Sequence, residues 1–271
     1  MNLSSLSAFI FDLDGVIWRG STPIEGAAES VARLRAAGKR CFYCTNNSRK
    51  APADFVAALR RMGIEVEEEE VMTSSTATAL YLSDEFPNRF SAYVVGEEGL
   101  VAALRGVGAH IVVESETGEA EGPVDCVVAG IDRAFTYEKM RLAQRFIFNG
   151  ARFIATNRDA TFPTERGLIP GAGSIVAGIE TASGVMPVTV GKPEPLMVQL
   201  LLQKYGLEAS QTTMVGDRLD TDIASAHRAG IHALYVATGV TPMADALRAE
   251  GEEKPDALFD NLPILCSAVL D

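Results

Sequence analysis

Asp12 and Asp14 stand two residues apart at the end of a short apolar run, Ala8-Phe9-Ile10-Phe11. On extended backbone that spacing puts both carboxylates on one side. Two close carboxylates repel, and a divalent cation removes the penalty. Three more polar clusters follow along the chain, each after an apolar stretch: Thr45-Asn46-Asn47-Ser48, Gly191-Lys192-Pro193, and Gly216-Asp217-Arg218-Leu219-Asp220-Thr221-Asp222. With Asp217 the acidic set is all oxygen, which suits Mg2+ rather than zinc. Mg2+ uses few protein carboxylates and takes water and substrate phosphate as its other ligands. Gly15 lets the backbone turn sharply beneath such an ion.

Together these groups could hydrolyse a phosphate monoester. That reaction is so slow in water that catalysis can require accelerations up to roughly 10²¹-fold. One acid–base group supplies only about 10²–10⁴, so several effects must combine. Asp12 can attack phosphorus and form an aspartyl phosphate. Asp14 can protonate the leaving oxygen and then activate water. A metal ion and Lys192 can neutralise the equatorial oxygens. Thr45 and the amides of Asn46 and Asn47 can hold the phosphoryl group in line. Each piece alone has a structural reading: an Asp-x-Asp turn, an uninformative Gly-Lys-Pro, a helix N-cap at Asp217. Four clusters in order, each following an apolar strand, point to catalysis.

The elements that would position them read as α/β. Strands are expected over 8–11 and 39–45, with helices over 26–37 and 52–62 between and after them, a strand–helix–strand–helix opening. Near the end, 188–190, 212–215, 231–236 and 257–259 read as strands, and 195–205 and 222–229 as helices. In an open parallel sheet the carboxyl ends of the strands form the ligand edge, and the polar clusters fall there. The middle of the chain carries its own strands (92–95, 110–113, 126–129, 153–155) and helices (97–105, 137–149, 174–183), with a polar loop over 118–123. It reads as a second α/β domain inserted into the first. The expected division is 1–77 and 186–271 for the core and 78–185 for the insert, and a surface loop tolerates such an insertion.

A chain of 271 residues, 47% apolar and 22% charged, can bury a full core in one large or two modest domains. Its formal net charge of −12 argues against a nucleic-acid partner. No window is long and apolar enough to suggest a membrane span, and residues 1–6 do not read as a signal peptide. Cys41 and Cys44 are three apart on an expected strand, hence on opposite faces, and read as ordinary buried thiols rather than a metal or redox pair. The cytoplasm is the expected compartment. The acidic run 65–70 reads as a solvated loop. His227 reads as a packed or capping histidine, and Trp18 as an apolar wall.

Asp12-Leu13-Asp14-Gly15-Val16, Thr45-Asn46-Asn47, Lys192 and the 216–222 cluster resemble the four motifs of the haloacid dehalogenase superfamily of phosphatases. The aspartate two residues after the nucleophile marks its phosphatase members. The resemblance implies a Rossmann-like core and a metal held by Asp12, the Asp14 backbone carbonyl and Asp217. Asp222 would orient nearby, and Asp220 would stay at the surface. Thr156-Asn157-Arg158-Asp159, Phe162-Pro163 and Pro170-Gly171-Ala172-Gly173-Ser174 resemble the inserted C2-type cap of the NagD and 4-nitrophenylphosphatase-like branch. Such a cap covers the site and reads the leaving group, which makes Asn157 and Phe162 candidate substrate contacts, although Asn157 could instead shape the turn and Phe162 could stack on a base or simply pack. Arg158 and Asp159 either share that task or shape the turn. Pyridoxal-phosphate-specific members carry histidine where this chain has Phe162, which disfavours that substrate. The resemblance implies a small phosphorylated metabolite as partner and a homodimer through the cap. Other readings are a phosphotransferase or mutase of the same superfamily, a receiver-like phospho-acceptor module and a silent binding protein. A receiver is much shorter and has no place for Asp14 or the cap.

Overall fold

The protein's structure, a computed structural model, describes residues 2–114, 122–164 and 167–271. Most of the loop expected over 118–123 lies outside them. Contacts divide the chain into two compact units. The first comprises the chain up to Thr45, Pro52–Met72 and Lys192–Asp271; the second comprises Asn46–Ala51 and Thr73–Gly191.

The first unit is built on a six-stranded sheet in the order Ala257–Phe259, His232–Val236, Thr212–Gly216, Ala8–Phe11, Arg40–Thr45, Val71–Thr73. All four residues of Ala8–Phe11 are buried, the pattern of a strand covered on both faces. Phe9 and Phe11 pack with Val31 and Leu34 of the helix Ala27–Ala36 and with Leu265 and Val269 of the helix Leu262–Leu270. The register decides where the chemistry lands. Phe11 lies opposite Val215 on one side and Tyr43 on the other, both in parallel pairing. Asp12 is therefore level with Gly216 and Cys44, and Asp217 and Thr45 come one residue later at the same sheet edge.

The second unit has its own parallel sheet in the order Val188–Thr189, Arg152–Ala155, Cys126–Ala129, Ser91–Val95, His110–Val112. Its core sets Tyr93, Val127 and Phe153 against Leu142 and Phe146 of the helix Tyr137–Phe148 and Val176 and Ile179 of the helix Ala172–Ser183.

Several elements differ from expectation. Val188–Thr189, read as a strand leading into Lys192 within the core, pairs with Ile154 and Ala155 of the second sheet instead. Residues 74–85 form a helix that runs across the boundary expected between 77 and 78. Thr73 caps it, its hydroxyl accepting from the Thr76 amide, and Ala77, Ala79 and Leu82 are buried. The C-terminal helix was not anticipated, although Asn261, which accepts from the Ile264 amide, is a good N-cap. The helix expected from Asp222 begins earlier as a π-turn, Leu219–Ile223, and continues as Ala224–Arg228. In the acidic run, Glu70 is not simply solvated: it pairs with Arg35 at 2.9 Å. Among the described residues no helix is long and apolar enough to cross a membrane.

Candidate active site

Asp12, Lys192, Asp217 and Asp222 meet at the sheet edge of the first unit, each 0–8% exposed. Lys192 Nζ donates to Asp12 Oδ1 at 2.6 Å, to Asp222 Oδ1 at 2.7 Å and to the Cys44 carbonyl at 3.0 Å. An ammonium has three protons, and these bonds engage all of them. The two aspartates outweigh burial and hold the Lys192 pKa well above its ordinary range. Asp222 is fixed from its other side, because its Oδ2 accepts from the Arg218 amide at 3.1 Å. The π-turn makes that possible: Ile223 N reaches back five residues to Arg218 O. Such single π-turns are common at functional sites.

Asp217 is the most enclosed of the set. Its Oδ2 accepts from the Val240 amide at 2.6 Å, and its Oδ1 is buried with no hydrogen-bond partner among the described residues. Two glycines let backbone close around it. Gly15 has φ +92°, and a Cβ there would sit 2.6 Å from the Asp217 carboxylate; a Cβ at Gly239 would collide with the same group. Burial first, and then Asp222, pushes the Asp217 carboxyl up to about 7. Burial likewise raises Asp12 well above the carboxylate range, against the opposing pull of Lys192.

Three carboxylates and one ammonium leave a formal charge of −2 in a buried volume. One oxygen from each of Asp12, Asp217 and Asp222 lies within 4.8 Å of the others. The orphaned Asp217 oxygen, the all-oxygen donors and the residual −2 together suit a divalent cation of the hard kind. The residues present therefore fit the metal expected from the sequence.

Asp14 lies outside this cluster. Its Oδ1 accepts from Trp18 Nε1 at 3.0 Å, and the indole stacks on Phe55 with 6.4 Å between ring centroids. Trp18 is thus a wall, as expected, and also the donor that fixes Asp14, a role the sequence reading missed. A tryptophan four residues after an aspartate in a tight loop was the available signal. Thr45 ends its strand buried. Cys41 and Cys44 are both buried, and burial pushes each thiol up to about 12. Asp220 is exposed and paired with Arg218. His227 Nδ1 lies 2.8 Å from the Glu252 carbonyl, in keeping with a capping role.

The remaining candidates belong to the second unit. Asn46 Nδ2 donates to Asp159 Oδ1 at 3.0 Å, and Asn47 Oδ1 accepts from the Arg49 amide at 3.0 Å. Asn157 is buried and donates to the Asn46 carbonyl at 2.8 Å. Arg158 pairs with Glu180. Phe162 stands in the hairpin Thr161–Thr164 and Gly167–Pro170 with the Arg49 guanidinium 5.5 Å over its ring. Arg49 in turn pairs with Glu97, which also holds Arg133.

Comparisons with known proteins agree with this architecture. A family model described as haloacid dehalogenase-like hydrolase matches residues 9–110, and a second, HAD-hydrolase-like, matches 189–265. An acid sugar phosphatase of Staphylococcus epidermidis is 40% identical over 238 residues, 88% of this chain and 89% of the relative. The crystal structure of a 4-nitrophenylphosphatase from Thermotoga maritima superposes with a TM-score of 0.90 at 36% identity, covering 99% of both chains. A glycerol phosphate phosphatase from Mycobacterium tuberculosis, solved in complex with magnesium, gives a TM-score of 0.89 at 33% identity over 98% of this chain and 78% of that one. The chain belongs to the haloacid dehalogenase-like hydrolases and stands among their phosphatases.

Proposed function

We propose that this phosphatase is Mg2+-dependent, acts on small sugar- or polyol-type phosphate monoesters, and works through an aspartyl phosphate on Asp12. One observation carries the mechanism: a buried lysine holds the Asp12 carboxylate at 2.6 Å beside two further buried carboxylates, one with an orphaned oxygen. Asp12, Asp217 and the Asp14 backbone would hold Mg2+, with Asp222 beside them, and the bound ion would neutralise phosphoryl oxygens and the residual −2.

The chain's own groups do the rest. Lys192 favours the ionised form of Asp12 against the burial that opposes it, and keeps the carboxylate pointed, since its ammonium is fixed by Asp222 and the Cys44 carbonyl as well. An Asp12 oxygen attacks phosphorus, the ester P–O bond breaks, and Asp14 delivers its proton to the leaving oxygen. Asp14, held by Trp18, then takes a proton from water. The hydroxide attacks the aspartyl phosphate, its P–O bond to Asp12 breaks, and inorganic phosphate leaves. Thr45 and the amides of Asn46 and Asn47 keep the phosphoryl group in line.

The substrate reading draws on the sugar and glycerol phosphate phosphatases among the relatives. It also draws on Phe162, one face of which is already covered by Arg49, so that ring is poorly placed to sandwich a nucleobase. Dimerisation through the inserted unit is part of the proposal, supported by exposed Val113, Tyr137, Phe148, Leu168 and Met186 there, and light scattering checks it. A cytoplasmic location accords with four buried, unpaired cysteines.

The test is phosphate release from sugar phosphates, glycerol phosphate, phosphoglycolate, nucleotides and 4-nitrophenyl phosphate, with Mg2+ and with chelator. Failure to turn over any of them would sink the proposal. Asp12→Asn should lower kcat by at least about a thousandfold with the fold intact, and substantial residual turnover would remove Asp12 from its role.

A further inference from the structure

The six residues after Thr45 group with the inserted unit, and three of their carbonyls accept hydrogen bonds from elsewhere in that unit. The Asn46 carbonyl accepts from Asn157 Nδ2 at 2.8 Å and from Ser74 Oγ at 2.7 Å. The Ser48 carbonyl accepts from Ser75 Oγ at 2.8 Å, and the Arg49 carbonyl accepts from the Gly99 amide at 3.0 Å. Asn157 and Ser74 are almost wholly buried, so neither bond is shared with bulk water.

A peptide unit is planar, and in a trans peptide the C=O of one residue points opposite to the N–H of the next. Among the described residues only the Lys192–Pro193 peptide is cis, so the Asn46–Asn47 peptide is trans. Two donors on the Asn46 carbonyl therefore fix the direction of the Asn47 N–H, away from Asn157 and Ser74. A second set of bonds locks the same turn. Asn157 Oδ1 accepts from the Asp159 amide at 3.1 Å, and Asp159 Oδ1 accepts from Asn46 Nδ2 at 3.0 Å. Both polar atoms of the Asn157 side chain are thus turned to the chain itself. That is an arrangement for holding a loop, whereas a leaving-group reader would keep a polar atom for its ligand.

We infer that Asn157 and Ser74 are positioning residues for the phosphoryl group: they orient the Asn46–Asn47 peptide and through it the Asn47 amide, and they do not read the leaving group. The inference rests on the proposal that residues 45–47 grip phosphate, and of the two sequence readings of Asn157 it takes the one in which the residue shapes the turn rather than contacts substrate.

The test is inhibition by inorganic phosphate, which has no leaving group and reports the phosphoryl grip alone. Asn157→Ala and Asn157→Asp are the variants. The second keeps the volume and the bond from the Asp159 amide but sets an acceptor against the Asn46 carbonyl. Each should raise the phosphate Ki, and the KM of every substrate, by a similar factor of about ten, the worth of one buried hydrogen bond. Ser74→Ala should act in the same direction, and the double variant Ser74→Ala/Asn157→Ala should exceed either single change. The ratio of kcat/KM between a sugar phosphate and 4-nitrophenyl phosphate should not move, and neither should the Kd for Mg2+ measured by calorimetry. A changed substrate ratio with an unchanged phosphate Ki would make Asn157 a leaving-group reader and overturn the inference. So would an unchanged Ki in both folded Asn157 variants. A wild type that hydrolyses no phosphomonoester would sink the function and this inference together, whereas an active wild type with insensitive variants sinks the inference alone.

Discussion

Asp217→Asn tests whether the buried acids are built for a cation. The substitution keeps the shape and removes one charge. In the metal-free protein Asp217 is held up to about 7, against an ordinary value of 3.8, because it is buried beside Asp222. Between about pH 4 and pH 7 the folded protein therefore binds a proton that the unfolded chain has released, and stability falls as pH rises through that window. At about 1.4 kcal/mol per unit, a three-unit shift costs the metal-free wild type roughly 4 kcal/mol by pH 8. Lys192, raised above its usual value, stays fully charged throughout this window and contributes no slope. In chelator, Asp217→Asn should thus gain on the wild type steadily from pH 5 to pH 8. The gain should approach roughly 10 °C in melting temperature, at about 2–4 °C per kcal/mol for a chain of this size. Mg2+ should invert the order, because only the ionised wild-type set attracts the ion. It should stabilise the wild type little near pH 5 and strongly near pH 8, and stabilise the variant hardly at all. The assay is thermal unfolding across pH with chelator or Mg2+. Wild type and variant running parallel across pH in chelator, or gaining equally from Mg2+, would refute the reasoning.

Lys192→Met should lower stability by about 3–5 kcal/mol at neutral pH, since it leaves Asp12 and Asp222 buried without their cation. The urea midpoint measures this, and the loss should shrink toward low pH, where Asp12, whose carboxyl burial already raises, takes up a proton. Trp18→Phe should keep the stack on Phe55 but remove the N–H that holds Asp14. A drop in kcat of about tenfold, with the Kd for Mg2+ unchanged by calorimetry, is expected, whereas wild-type kcat would show that Asp14 needs no such anchor.

Three of the four core motifs were legible because each follows a strand that is buried along all or nearly all of its length. Ala8–Phe11 announces itself by four apolar residues and then stops at a carboxylate. What the sequence hid was partnership. Val188–Thr189 is two residues long and sits next to Lys192, so proximity in sequence assigned it to the wrong sheet; pairing with Ile154 and Ala155 is a long-range choice that no local pattern encodes. Thr73-Ser74-Ser75-Thr76 lies at the expected domain boundary, and its hydroxyl residues are also common in loops. The same residues also cap helices, and here they do that and tie down the loop after Thr45. The π-turn at 219–223 was beyond reach, because one extra residue in a turn leaves no periodic trace.

The bonding of Lys192 has a consequence for how phosphate would be held. From the sequence, that lysine was expected to neutralise the transferring oxygens directly. In the structure its three protons go to Asp12, Asp222 and the Cys44 carbonyl, so a direct bond to phosphate would require breaking one of them in a buried site. An unpaired buried acceptor costs about 1–3 kcal/mol, more for a carboxylate. The cheaper arrangement leaves Lys192 as the counter-ion of the nucleophile. On that reading the phosphoryl oxygens away from the metal depend on Thr45 and on backbone amides, which carry no charge and gain their strength from fixed direction alone. Direction is what the Asn157 and Ser74 bonds to the Asn46 carbonyl would supply. The peptide that Asn157 and Ser74 hold still would then be the second unit's contribution to the grip on phosphate.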